Sequence, residues 1–89
     1  MDPQEAIMRN RKKLDMLTVG LVRLMAARDR AAIRIERAKR RLGSRVLDRN
    51  REKAVLDRAQ ALASRCGVDG KVVVRIMRIL MRHSRRIQQ

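Results

Sequence analysis

Residues 5–42 contain no proline and a single glycine, Gly20, and their apolar residues recur with a heptad rhythm. The a positions are Ile7, Leu14, Leu21, Arg28, Ile35 and Leu42, and the d positions are Asn10, Leu17, Leu24, Ala31 and Ala38. Side chains three and four apart fall on one face of an α-helix, so this spacing predicts one long amphipathic helix over about 5–42. Asp2 or a turn at Pro3 can start it, and Gly43 is well placed to end it. At 1.5 Å per residue such a helix spans about 57 Å.

The remaining chain reads as two shorter helices. Residues 43–47 form a loop, and Asp48 is the N-cap of a helix over about 49–66. Its apolar stripe is Val55, Leu56, Ala59, Leu62, Ala63 and Cys66, and Gly67 closes it. Asp69 caps a third helix over about 70–88, with Val72, Val73, Ile76, Met77, Leu80 and Ile87 inward. The chain has no aromatic residue and one proline, which favours helices over a sheet. The expected fold is all-α, three helices per chain in a single domain over 1–89.

Helix lengths bear on assembly. The second and third helices span roughly 27 and 29 Å, so neither alone covers the long seam. A second copy covers the rest if the two long helices run antiparallel, which predicts an intertwined homodimer. An isolated 89-residue domain without such a partner buries too little surface for robust stability.

The formal net charge of +15 points toward polyanions or small anionic ligands. A basic solvated surface accounts for it equally well. Cys66 stands alone, which excludes an intrachain disulfide, fits a reducing compartment and suits a small packing residue. It has no paired base for thiol chemistry, and His83 has no companions for a metal site. The first residues carry no apolar signal segment, and the most apolar stretch, 72–81, is broken by Arg75 and Arg78. A cytoplasmic protein without cofactor is expected.

Polar residues on apolar stripes are the informative ones. Arg28 occupies an a position midway along the seam, where an unpaired guanidinium is costly, so an anion is expected nearby. Lys39 follows about three turns later on nearly the same face, roughly 16 Å away, which leaves room for a small dianion between them. Arg11 lies about 25 Å from Arg28 along the same helix and joins such a site only from an antiparallel partner. Asp48, Glu52 and Val55 share a face of the second helix, with Arg51 beside Glu52 in its first turn. Met77, Met81, Ser84 and Gln88 share a face of the third. Taken singly, each has an ordinary structural role. Arg28 would set register, Glu52 would complement a helix dipole, Arg51 would be a surface residue, Ser84 would bond its own backbone, and Gln88 would lie in a frayed helix end.

Together these positions resemble the active site of AroQ-class chorismate mutases. The carrying segments are Arg11-Lys12-Lys13-Leu14-Asp15, Ala26-Ala27-Arg28-Asp29-Arg30, Ala38-Lys39, Asp48-Arg49-Asn50-Arg51-Glu52-Lys53, and Ser84 with Gln88. Their separations match, without a gap, the mutase domain of the bifunctional mutase–prephenate dehydratase over about residues 5–89. The resemblance implies that Arg28 and the partner's Arg11 grip the two carboxylates of chorismate. It implies that Lys39 and Gln88 donate to the ether oxygen, and that Glu52 and the Asp48 backbone hold the ring hydroxyl. Arg51 would support these electrostatically, Ser84 would sit near a carboxylate, and Val55 and Met81 would form apolar walls. The implied reaction, chorismate to prephenate in aromatic amino-acid biosynthesis, needs no nucleophile, proton transfer, metal or cofactor. Two positions depart from the pattern: Arg85 stands at an expected apolar wall, and Thr18 replaces a frequent acidic residue.

Two other functions share parts of this pattern. An isochorismate–pyruvate lyase would keep the fold, the arginines and the lysine, and the acidic hydroxyl contact at Glu52 favours the mutase. A basic helical nucleic-acid-binding protein would use the cation excess. Yet Arg34, Arg37, Arg40 and Arg41 do not form one stripe, and no aromatic is present for base stacking. Polyanion binding is then at most weak and non-specific.

Overall fold

The computed structural model describes residues 2–43 and 48–88. They form three helices, α1 (Pro3–Leu42), α2 (Arg49–Cys66) and α3 (Gly70–Ile87), with no strand among the described residues. Local chemistry sets the ends. The Asp2 carboxylate accepts the Gln4 backbone N–H at 3.1 Å, and Pro3 opens α1, where a missing N–H costs nothing. α1 therefore starts two residues before the expected boundary. At its other end Gly43 takes the left-handed conformation (φ 69°), and Lys39, Arg40 and Arg41 offset the helix dipole.

The caps of the short helices follow the expected residues. Asp48 Oδ1 accepts the Arg51 N–H at 3.0 Å, and Asp69 Oδ1 accepts the Lys71 N–H at 2.9 Å. Gly67 (φ 69°) ends α2, and Val68 N–H reaches back to the Ala63 carbonyl at 2.9 Å. α3 stops at Ile87, one residue short of the expected end, with Gln88 as its C-cap. The expected loop at 43–47 lies, beyond Gly43, outside the described residues.

α3 packs against both α1 and α2, whereas the α1 and α2 backbones do not approach closely among the described residues. The molecule measures 61 × 23 × 16 Å, the long axis being the length of α1. Its radius of gyration of 17.1 Å far exceeds the about 12 Å of a compact chain of this size. Ala32, Ala63 and Met81 are the only buried apolar residues among those described. The seam residues Ile7, Leu14, Leu17, Leu21 and Leu24 are all exposed, Leu24 at 65%. One chain thus leaves most of the predicted apolar face uncovered.

Several residues expected inward are exposed for the same reason. Leu62 and Cys66 lie on the edge of the α2 stripe that α3 does not reach, while Leu56, Ala59 and Ala63 are covered to varying degrees. Val72 and Ile76 of α3 are about half exposed. Cys66 is therefore not a packing residue within one chain. Among the described residues, no helix is long and apolar enough to cross a membrane.

Candidate active site

The three helices line an open cavity of about 280 Å³ at the Gly43 end of α1. α1 contributes Arg28, Ala31, Ala32, Ile35 and Lys39, one helical face seen over three turns. The start of α2 brings Asp48, Arg51, Glu52 and Val55, and the end of α3 brings Met81, Ser84, Arg85 and Gln88. Of the eight site residues expected from the sequence, seven line this cavity: Arg28, Lys39, Asp48, Arg51, Glu52, Ser84 and Gln88. The expected apolar walls Val55 and Met81 line it too, while Met77, on the same face of α3, does not.

Arg11 is the eighth, and it lies elsewhere. It is exposed on a shallow groove of α1 with Gln4, Ile7, Met8, Lys12 and Asp15. Seventeen positions of helix separate it from Arg28, about 25 Å at the α-helical rise.

Each cavity side chain has a local reason for its position. Asp48 caps α2 through Oδ1, which fixes the first turn carrying Arg51 and Glu52. Ser84 Oγ donates to the Leu80 carbonyl at 3.0 Å, the local backbone bond of a helical serine. Gln88 is tied across the helices, its Nε2 donating to the Ala32 carbonyl at 2.8 Å. That bond joins the last turn of α3 to the centre of the α1 wall. Arg28 is half-buried, lines the cavity and pairs with no described carboxylate. Its guanidinium opens onto the cavity instead.

Three features escaped the sequence. The partner of Arg85 is one: standing at the expected wall, Arg85 lines the cavity and pairs through Nη1 with Glu52 Oε2. Glu36 is buried beside Ala32 on the α1–α3 side and pairs with Arg40 one turn on. It is the only acidic residue between Asp29 and Asp48, which was the available signal. His83 pairs with Asp29, its Nε2 lying 3.1 and 3.2 Å from the two carboxylate oxygens. A carboxylate only accepts, so Nε2 carries the proton in that contact. Both pairs clamp α3 or stiffen α1 outside the cavity.

The chemistry available is that of a small anion site. Four cations, Arg28, Lys39, Arg51 and Arg85, the last paired with Glu52, line a cavity that also offers one amide and apolar walls from Ile35, Val55 and Met81. No thiol or imidazole lines it, and no described cluster of His, Cys, Asp and Glu is arranged to hold a metal ion. Such a set can orient a dianion and stabilise charge developing on an oxygen.

The family model for chorismate mutase type II matches residues 10–89. A protein of Methanocaldococcus jannaschii named chorismate mutase is 32% identical over 79 residues, covering 89% of this chain and 80% of that one.

Proposed function

The chain belongs to the chorismate mutase type II family and converts chorismate to prephenate; we propose that it does so in the cavity between α1, α2 and α3. The observation that carries this reading is the meeting of Arg28, Lys39, Arg51, Glu52 and Gln88, from three helices, around one volume. The reaction is a unimolecular rearrangement in which a C–O bond breaks as a C–C bond forms. It needs the compact, chair-like conformer of the substrate and a favourable field at the ether oxygen. Binding supplies the first by orientation and fixed donors supply the second.

In this reading Arg28 takes one carboxylate of chorismate. Lys39 and the Gln88 amide donate to the ether oxygen, where negative charge grows in the transition state. Glu52 and the Asp48 backbone receive the ring hydroxyl, Arg51 adds positive potential, and Ser84 accompanies a carboxylate. Arg11 completes the grip from a second chain, because its own Arg28 is out of reach. The exposed leucine seam supports that homodimer: one chain leaves it in water, and an antiparallel copy of α1 would cover it.

The test is direct. Loss of chorismate absorbance, with prephenate identified as product, is expected for the parent and strongly reduced for Arg28→Ala. A parental rate in Arg28→Ala would remove this cavity as the site.

A further inference from the structure

Arg85 sits one turn after Met81 and three residues before Gln88, so the helix repeat aims all three into the same cavity. Its Nη1 donates to Oε2 of Glu52, in the first turn of α2, and both side chains are partly buried. This ion pair bridges α2 and α3 across the cavity wall. A glutamate side chain has several rotatable bonds, and a partly buried guanidinium partner removes much of that freedom. An ionised carboxylate has about four acceptor sites on two oxygens. With Arg85 on Oε2, the carboxylate keeps acceptor capacity for a further donor.

We propose that Arg85 is a positioning residue that fixes the Glu52 carboxylate to accept the substrate's ring hydroxyl, and thereby selects a hydroxylated ring. The proposal rests on the role given above to Glu52. Arg85 does not touch the reacting atoms; it acts through its partner.

The experiment compares the parent with Arg85→Met, Arg85→Lys, Glu52→Ala and the Arg85→Met/Glu52→Ala double variant. Two substrates are used, chorismate and an analogue with hydrogen in place of the ring hydroxyl. Circular dichroism melts check that each variant folds, and Arg85→Gln stands in if the methionine variant is unstable. Arg85→Met should raise KM for chorismate about tenfold, with a smaller effect on kcat, and should leave the analogue's kinetics nearly unchanged. Arg85→Lys should recover most of the loss, and Arg85→Met should add nothing in the Glu52→Ala background. Parental kinetics in Arg85→Met would overturn the proposal. So would equal losses on both substrates, or additive losses in the double variant, since either would mean that the guanidinium grips the ligand itself. Parental kinetics in Glu52→Ala would instead overturn the role of Glu52, and this proposal with it.

Discussion

Arg11 and Arg28 stand on the same continuous helix, about 25 Å apart along its axis, and open onto different surfaces. A rigid helix cannot fold back to join them. If both hold one substrate, they belong to different chains. Arg11→Ala and Arg28→Ala homodimers should each be nearly inactive. Mixed after verified subunit exchange, they should form heterodimers with one composite site that has both arginines and one that has neither. Activity should then rise well above either variant alone. A mixture as inactive as its parts would show that the two arginines do not share a site.

The seam makes a separate prediction about stability. Leu21 is 63% exposed in one chain, where replacing it by alanine would change little, within about 0.5 kcal/mol. If a second α1 covers it, Leu21→Ala deletes a buried side chain in both chains. Each such deletion costs about 2–5 kcal/mol. The expected result is a large fall in Tm and a shift toward monomer in sedimentation equilibrium. An unchanged Tm would argue that the seam faces water.

Lys39 lies in the last turn of α1 and lines the cavity. A donor to the ether oxygen gains strength as charge accumulates there, so its loss should fall on kcat more than on KM. Lys39→Ala should lower turnover by roughly 10²-fold or more, as removal of an oxyanion-hole donor does. Steady-state kinetics on chorismate measure this. Normal turnover would exclude Lys39 from the chemistry.

Local features of this fold were legible because their causes are local. Asp48 and Asp69 each cap the helix that follows within three residues, and Gly43 and Gly67 take the left-handed turn that ends a helix. The heptad pattern marked the face of α1 on which Arg28 and Lys39 meet the cavity. What stayed hidden depends on how helices lie against one another. The Arg85–Glu52 pair joins residues 33 apart, His83–Asp29 54 apart, and Gln88–Ala32 56 apart. Periodicity gives each residue an azimuth but not the neighbour it meets. Exposure of Leu62, Cys66, Val72 and Ile76 was misjudged for a related reason: a stripe shows what can be buried, and one chain supplies too little surface to bury it.

Gln88 is the residue for which the structure changes the expected outcome most. Placed at the C-cap of α3, it would fray if unsupported, yet its amide donates to the Ala32 carbonyl at 2.8 Å. An amide nitrogen carries two N–H groups, so it can clasp α1 with one and donate to the ether oxygen with the other. A carboxylate can do neither, because it only accepts. In Gln88→Glu at neutral pH the clasp to a carbonyl becomes a repulsion and the donor to the ether oxygen is lost. Turnover should fall on the order of 10²-fold. An unperturbed glutamic acid has a pKa of about 4.3, so lowering the pH restores a protonated oxygen that can donate. Activity of Gln88→Glu should therefore climb toward acid, while the neutral amide of the parent has no such titration at this position. Gln88→Ala, which lacks any donor, should stay low across the same range and separates loss of the donor from the gain of a charge. If Gln88→Glu kept the parent's rate and pH profile, the amide would serve only as a clasp between α3 and α1, and the ether oxygen would depend on Lys39.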